Sequence, residues 1–194
     1  MALLTASGLA VGRGDRQLLG GLYFVIEPGD VLHVRGRNGA GKSSLIEVLV
    51  GLRPPLAGEV QAPPPSSLHW IGHRNGLNAD LSVRENLLDW CGLQRLSSTH
   101  LQPALERLGL NRLQHRPVRT LSAGQRRRAA LARLLIDARP LWLLDEPLSG
   151  LDAEGVRWFG EVLDEHVAAD GAVMITSHQK LPGRLPRLRV MELR

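Results

Sequence analysis

The strongest chemical signal in the chain is a glycine-rich segment that contains one of only two lysines. The segment fits the spacing G-x-x-x-x-G-K-[ST] and comprises Gly36, Arg37, Asn38, Gly39, Ala40, Gly41, Lys42 and Ser43. Its glycines let backbone N–H groups curl around phosphates, and a helix that starts at Lys42 adds the positive end of its dipole. We expect Lys42 to bind the β- and γ-phosphates of a nucleotide and the Ser43 hydroxyl to bind Mg²⁺. With Ser44, these residues form the predicted nucleotide-binding loop.

A nucleotide-binding loop of this kind needs acidic residues nearby for Mg²⁺ and for the attacking water, and two adjacent carboxylates could supply them. Asp145 and Glu146 follow the apolar run Leu141–Leu144, which is typical of a buried strand. Asp145 would belong to the Mg²⁺ shell, and Glu146 would polarise the attacking water. Each signal alone has a plain structural alternative, a turn that binds nothing or a solvated strand end. Together they predict a site that hydrolyses nucleoside triphosphates.

The elements that must position these residues alternate along the chain. Apolar or β-branched runs bounded by glycine or proline predict strands at Leu22–Ile26, Val31–Val34, Leu68–Ile71, Leu141–Asp145, Ala172–Thr176 and Leu188–Leu193. Helical patterns predict helices at Lys42–Leu49, Val83–Trp90, Leu101–Leu108, Ala123–Ile136 and Ala153–Val167. This alternation predicts an α/β fold with a mostly parallel sheet. Residues 81–120 offer helices and no strand, so we expect, within a single domain of residues 1–194, a small helical subdomain inserted in an α/β core of residues 1–80 and 121–194.

Length, composition and charge exclude several other classes of protein. The 194 residues fit one domain, and 43% hydrophobic residues suffice for a core. No run approaches the roughly 18 apolar residues of a membrane span, and the N-terminus lacks the pattern of a secretory signal. The single cysteine, Cys91, excludes a disulfide framework and favours a reducing cytoplasm. The net charge of +5 comes mostly from scattered arginines, with one dense run at Arg126–Arg128, and we expect no nucleic-acid partner.

Further motifs around these residues resemble those of the ABC-type ATPases. The segment Leu121–Gln125 reads LSAGQ and is similar to that family's LSGGQ signature, with alanine at the third place. Arg128–Arg133 resembles the continuation of the signature, which makes the arginine run the start of a helix rather than a nucleic-acid patch. Ser149–Asp152 resembles the D-loop, and His178 stands where the family has its switch histidine. The five motifs occur in the family's order between Gly36 and His178.

The resemblance implies the fold of a P-loop NTPase and an active site shared between two copies. In this family two nucleotide-binding domains pack head to tail, so ATP lies between the phosphate loop of one and the signature of the other. Ser122, Gly124 and Gln125 would then bind the ATP held by the partner domain. Glu146 and His178 would be catalytic. ATP and Mg²⁺ are the implied substrate and cofactor, and the implied homodimer depends on ATP.

Two positions depart from the family pattern. In the segment where the family places an aromatic residue that stacks on adenine there is none, so either Arg13 stacks its guanidinium on the base or it is an exposed loop arginine. His73 stands where the family has its Q-loop glutamine, and a histidine can contact water or the metal ion but lacks the paired donor and acceptor of an amide. In transporters of this family the ATP-binding subunit associates with a membrane subunit. The polar residues that follow His73, namely Arg74, Asn75 and Asn78, would face that membrane subunit unless they form only a tolerant surface loop.

The second departure narrows the resemblance to one branch of the family. Gly72–Leu77, Leu81–Leu87 and the LSAGQ signature are similar to those of the CcmA family, the ATP-binding subunits of bacterial cytochrome c maturation systems. That resemblance implies a peripheral location on the cytoplasmic face of the inner membrane, a membrane subunit resembling CcmB, and CcmC, CcmD and CcmE-like proteins. The ATPase would power haem export or release of the haem-loaded chaperone. Three alternatives remain: a soluble ABC ATPase of another process, the ATPase of a different short exporter, and a regulatory module that binds nucleotide without turnover.

Overall fold

The computed structural model describes residues 1–14 and 16–193, and within them eight strands form two sheets. In chain order the strands are β1 (Leu4–Arg13), β2 (Arg16–Ile26), β3 (Val31–Gly36), β4 (Ala57–Gln61), β5 (Leu68–Ile71), β6 (Leu141–Asp145), β7 (Ala172–Thr176) and β8 (Leu188–Leu193). The α-helices are α1 (Lys42–Leu49), α2 (Val83–Gln94), α3 (Leu101–Arg107), α4 (Ala123–Leu131), α5 (Arg133–Ile136) and α6 (Ala153–Ala168). Short 3₁₀ turns lie at Pro65–Ser67, Asn111–Leu113 and Val118–Thr120. The last residue of the predicted core, at position 194, lies outside the described residues.

A five-stranded parallel sheet carries the phosphate loop (Gly36–Ser43). Its strand order is β5-β6-β7-β3-β8, and all neighbouring strands run parallel. Every residue of β6 and β7 is buried, which explains their uninterrupted apolar sequences, because a central parallel strand is covered on both faces. The carboxyl ends of β3, β6 and β7 therefore meet at one edge of the sheet. The predicted α/β class with a mostly parallel sheet is confirmed.

Two hydrophobic clusters cover the faces of this sheet. Along β6, Leu141 and Leu143 belong to one cluster, whereas Trp142 and Leu144 belong to the other, as the two-residue period of a strand requires. The first cluster continues into α1 and the hairpin of β1 and β2, and the second continues into α2, α3 and α6. The sheet is thus held between two apolar layers, which fixes the position of the loops at its carboxyl edge.

A smaller antiparallel sheet, of order β2-β1-β4, lies against the α1 side of the core. Its pairing is interrupted by register shifts along β1, where small residues such as Gly8 interrupt the apolar pattern. A Cβ atom at Gly58 of β4 would collide with the backbone of Ser7 and Gly8 in β1, so the close approach of the two strands requires glycine at position 58. This sheet brings the tip of the β1–β2 hairpin, at Arg13 and Arg16, to the same cleft as the phosphate loop.

The predicted elements agree with the structure wherever apolar periodicity is strong. The predicted bounds of β5, β6, β7 and β8 are those of the structure, and β2 and β3 extend beyond their predicted ends. The strands β1 and β4 were not predicted, because β1 has an irregular pattern and β4 is mostly exposed. The predicted helix Ala123–Ile136 is divided into α4 and α5 at Ala132, which itself keeps right-handed helical backbone angles.

Residues 81–120 contain helices and turns, with a single isolated bridge between Ser82 and Pro117. Ser82 caps α2 through a capping box, because its hydroxyl accepts from the Glu85 N–H while the Glu85 carboxylate accepts from the Ser82 N–H. Among the described residues, no helix combines the length and apolarity needed to cross a membrane.

Candidate functional site

The phosphate loop connects the end of β3 to the start of α1. Gly39 and Gly41 have φ angles of 82° and 94°, in the left-handed region that glycine adopts at little cost. At Gly41 a Cβ atom would also lie 3.2 Å from the Leu18 side chain. Lys42 is 8% exposed, and its Nζ donates to the Gly36 carbonyl oxygen at 2.8 Å, so its ammonium lies within the curve of the loop. The loop has the backbone shape and the cation that a polyphosphate requires.

The carboxylate of Asp145 is held on both of its oxygens. The Ser43 hydroxyl donates to Oδ2 at 2.6 Å, and the Thr176 hydroxyl donates to Oδ1 at 2.6 Å. Asp145 is 3% exposed and ends β6, whereas Thr176 ends the neighbouring strand β7. The pairing of a serine oxygen with a fixed carboxylate fits Mg²⁺, which takes one or two protein oxygens and completes its shell with phosphate and water.

Glu146 lies next to Asp145 with an unusual backbone. Its φ angle is 50°, a left-handed conformation that is uncommon for a residue with a side chain. Its N–H donates to Thr176 Oγ1 at 2.9 Å and to the Thr176 carbonyl oxygen at 3.1 Å. Its Oε1 lies 3.3 Å from Nε2 of His178, which is also 3.2 Å from Lys42 Nζ. A carboxylate, an imidazole and an ammonium therefore face the same small volume.

The loop that carries His178 is hydrogen-bonded to another histidine, His33. His33 lies in β3 and is 1% exposed, and its Nε2 is 3.0 Å from the carbonyl oxygen of Ser177. Because a carbonyl oxygen only accepts, the proton lies on Nε2. Burial lowers the pKa of His33 below the ordinary histidine value, which favours the neutral ring. The position of His178 thus depends on β3, the strand that also leads into the phosphate loop.

Side chains of the phosphate loop, the two carboxylates and His178 line one cleft of about 700 Å³. Of the residues singled out in the sequence, those lining it are Arg13, Asn38, Gly39, Gly41, Lys42, Ser43, Ser44, His73, Asp145, Glu146 and His178. Gly36 and Arg37 instead line a shallower pocket beside His178, and Ala40 is in neither lining. Arg16 and Leu18 also line the cleft and were missed by the sequence reasoning, and Ser149, which the sequence placed in the D-loop, lines it as well. Arg16 is opposite Arg13 in the β1–β2 pairing, so recognition of that hairpin would have found it.

The signature residues lie outside this cleft. Ser122 is exposed and caps α4, and its hydroxyl accepts from the Gln125 N–H at 3.2 Å while Gln125 Oε1 accepts from the Ser122 N–H at 2.9 Å. A Cβ atom at Gly124 would lie 2.6 Å from the Gly150 carbonyl oxygen, so the start of α4 packs tightly on the segment 149–152. Within one copy of the chain, therefore, Ser122, Gly124 and Gln125 do not meet the phosphate loop. The arginine run Arg126–Arg128 lies within α4, as predicted.

Arg127 is a buried side chain that the sequence reasoning did not single out for a role and that joins several segments around the cleft. It is 3% exposed, and its guanidinium donates to the carbonyl oxygens of Gly72, Asp145 and Pro147. It also donates to Asn75 Oδ1 at 3.1 Å. No motif signals these contacts, because they join segments far apart in the sequence.

The polar segment after His73 makes more hydrogen bonds within the chain than an exposed surface for a partner would require. Asn75 is bound by the buried guanidinium of Arg127, and the side chain of Asn78 accepts from the Asp80 N–H at 3.0 Å. Of the three residues expected to face a partner, Arg74 and Asn78 are exposed and Asn75 is half-buried. His73 is exposed within the nucleotide cleft.

Comparison with known proteins places this geometry in a family. Residues 19–149 match the ABC transporter family. Over 193 residues the chain is 45% identical to the cytochrome c biogenesis ATP-binding export protein CcmA of Rhodobacter capsulatus, covering 100% of this chain and 88% of that protein. It is 45% identical over 176 residues to the protein of the same name from Hyphomonas neptunium, covering 91% of this chain and 90% of that protein.

A solved structure extends the comparison to the fold. The ATP-binding subunit of an ABC transporter matches this chain with a TM-score of 0.82 and 25% identity, covering 91% of this chain and 79% of that one. The parallel sheet, the cleft at its carboxyl edge and the sequence relatives agree with one another. The chain therefore belongs to the ABC transporter family, and within it to the CcmA-type ATP-binding proteins.

Proposed function

We propose that the chain hydrolyses ATP as the ATP-binding subunit of a cytochrome c biogenesis export complex. The observation that carries the ATPase is a single cleft holding a phosphate-loop lysine, a serine–aspartate pair and a glutamate beside a histidine. The similarity to CcmA proteins over the whole chain supports the biological system. The steps assigned below concern residues of this chain.

Binding of the triphosphate is assigned to the phosphate loop. The backbone N–H groups of the loop residues, from Gly36 to Ser44, would surround the phosphates, and Lys42 would place its ammonium between the β- and γ-phosphates. At the tip of the β1–β2 hairpin, Arg13 and Arg16 line the same cleft as the phosphate loop. We propose that both contact the nucleotide base and that Arg13 stacks its guanidinium on the ring.

Ser43 and Asp145 would hold Mg²⁺, since their oxygen donors are of the kind that this ion prefers. When bound, the ion neutralises charge on the β- and γ-phosphates. The Thr176 hydroxyl keeps the carboxylate of Asp145 in one orientation. We assign His73 to the same side of the cleft, in contact with the metal ion or one of its waters.

Glu146 is assigned as the residue that orients the attacking water and accepts its proton. Its Oε1 lies 3.3 Å from His178 Nε2, and that nitrogen lies 3.2 Å from Lys42 Nζ. The histidine is therefore placed between the Glu146 carboxylate and the Lys42 ammonium. There His178 can donate a hydrogen bond to an oxygen of the γ-phosphate. The nucleophile and the charge that develops on the phosphate would both have a partner.

Dimerisation would complete the site. Because the signature residues Ser122, Gly124 and Gln125 lie outside the cleft of their own chain, we assign them to the γ-phosphate of ATP held by a second copy. The positive end of α4 suits that anion. We place the helical subdomain at residues 81–120 and the α/β core at residues 1–80 and 121–194. ATP would join the two copies, and hydrolysis would release them.

The membrane partners follow from the CcmA resemblance. We assign the chain to the cytoplasmic face of the bacterial inner membrane, bound to a subunit resembling CcmB and working with CcmC, CcmD and CcmE-like proteins. Its ATPase would drive export of haem or release of the haem-loaded chaperone.

The test compares Glu146→Gln with Glu161→Gln, an exposed glutamate of α6. We expect Glu146→Gln to bind Mg-ATP but to lose most phosphate release, and the Glu161 variant to behave as wild type. In cells whose only copy of this chain is the variant, Glu146→Gln should abolish haem attachment to c-type cytochromes and Glu161→Gln should not. Normal phosphate release from Glu146→Gln would refute the assigned mechanism, and normal haem attachment in cells lacking the chain would refute the assigned system.

A further inference from the structure

The arginine at position 127 is buried at a junction of three segments. It projects from α4, which begins at the signature, and only 3% of it is exposed. Burial lowers its pKa to about 10, and the nearby carboxylates of Asp145 and Glu146 act in the opposite direction. The guanidinium therefore remains charged at neutral pH. A buried charge is costly unless it is hydrogen-bonded, and here each of the three guanidinium nitrogens donates, in four hydrogen bonds altogether.

Two of these hydrogen bonds flank Glu146. Nη2 of Arg127 donates to the Asp145 carbonyl oxygen at 2.7 Å, and Nε donates to the Pro147 carbonyl oxygen at 3.2 Å. The residue between these carbonyls has the left-handed φ of 50°, a conformation that persists only where its surroundings hold it. Thr176 holds the N–H of Glu146, and Arg127 holds the carbonyls on either side of it.

The other two hydrogen bonds reach the loop that carries His73. Nη1 of Arg127 donates to the Gly72 carbonyl oxygen at 2.9 Å and to Asn75 Oδ1 at 3.1 Å. His73 lies between these two contacts and lines the nucleotide cleft. One rigid, planar guanidinium thus spans the His73 loop and the backbone of Glu146. Lysine has a single rotatable ammonium and cannot reproduce this fork.

We propose that Arg127 is a positioning residue for hydrolysis, which holds Glu146 in its left-handed conformation and couples it to the His73 loop. The inference rests on the ATPase activity proposed above. A displacement of residues 72–75 is passed through the guanidinium to the carbonyl groups of Asp145 and Pro147, the residues before and after Glu146. The carboxylate then moves relative to the water that it orients, while the phosphate loop, to which Arg127 donates no hydrogen bond, stays in place.

The experiment is Arg127→Lys in the full-length chain, with Arg139→Lys as the matched control. Arg139 is also buried, at 8% exposure, and also donates to backbone carbonyls, those of Pro65 and Leu68, but none of its hydrogen-bond partners lines the nucleotide cleft. We expect Arg127→Lys to lower kcat about 10- to 100-fold, because a small misplacement of a catalytic group has effects of this size. The KM for ATP and the stabilisation by a non-hydrolysable ATP analogue should change by less than about threefold, because binding is left to the phosphate loop.

Two further variants separate positioning from mere packing. Asn75→Ala removes one of the two loop-side hydrogen bonds and leaves the one to the Gly72 carbonyl oxygen. It should therefore lower kcat less than Arg127→Lys does and add nothing in the Arg127→Lys background. Arg127→Ala should regain turnover when guanidinium ion is added at millimolar concentration, and an equal concentration of urea should give no rescue. A structural role alone predicts equal effects of the Arg127 and Arg139 variants and no rescue.

The outcomes also separate this inference from the ATPase proposal. If Glu146→Gln abolishes turnover as expected and Arg127→Lys keeps the wild-type kcat, only the role of Arg127 is overturned. If the effect of Arg127→Lys appears in KM with kcat unchanged, the residue serves binding and the positioning role is also overturned. If Glu146→Gln turns over normally, the ATPase assignment itself is overturned.

Discussion

Replacement of Lys42 by alanine tests the phosphate loop most directly. The ammonium lies inside the loop, donating to the carbonyl oxygens of Gly36 at 2.8 Å and Arg37 at 3.3 Å. The chain has one other lysine, Lys180, which is exposed and does not line the cleft. The substitution therefore removes the only lysine ammonium that can reach a bound phosphate.

The size of the effect follows from the chemistry of this contact. A hydrogen bond that involves a charged group contributes about 1.5–3 kcal/mol, which corresponds to affinity about 10- to 150-fold weaker when it is lost. A ligand present at 100 times its Kd stabilises the folded chain by about 2.7 kcal/mol. If Kd rises about 100-fold, the same ligand concentration stabilises the variant by only about 0.4 kcal/mol.

The assay is urea unfolding of the wild type and of Lys42→Ala with and without a fixed concentration of a non-hydrolysable Mg-ATP analogue. Lys180→Ala serves as the control, and we expect it to retain the full stabilisation. Equal stabilisation of Lys42→Ala and the wild type would refute the phosphate-loop assignment. Equal losses in both lysine variants would show a general charge effect instead.

Three other predictions concern ATP-dependent dimerisation, selectivity for the nucleotide base and the dependence of stability on pH. Glu146→Gln should accumulate ATP-bound dimers that Ser122→Arg disperses, as measured by elution volume in saturating Mg-ATP; a monomeric Glu146→Gln would count against the shared site. If stacking on Arg13 supports the base, GTP should compete with ATP within about tenfold, because stacking on a guanidinium does not read the base edge, and a much larger preference for ATP in competition binding would contradict this. Burial lowers the pKa of His69 and of His166 to about 4, so the folded chain binds fewer protons than the unfolded chain between about pH 6.5 and 4. The two histidines therefore contribute up to about 3 kcal/mol each to the free energy of unfolding above pH 6.5, and this contribution is lost as the pH falls towards 4. Urea unfolding at a series of pH values measures it. If replacing both histidines leaves the pH dependence of the unfolding free energy unchanged, the prediction is wrong.

The sequence by itself determined the candidate site residues and the elements on which most of them lie. The spacing around Lys42 is local, and a helix must start where glycines give way to helix-forming residues. The apolar run before Asp145 has the length of a strand buried on both faces, and it ends at the carboxylates as the structure shows. The order of the motifs from Gly36 to His178 was enough to indicate the family.

Only the tertiary structure decided which distant residues complete the site. Arg16 joins Arg13 through hairpin pairing in a sheet whose strand β1 has no regular apolar period. Thr176 reaches Asp145 from the neighbouring parallel strand, 31 residues away in sequence. Arg127 reaches Gly72 across 55 residues. Periodicity and motifs report contacts within a few residues along the chain, whereas these contacts depend on the order of strands in the sheet and on the packing of α4 against its carboxyl edge.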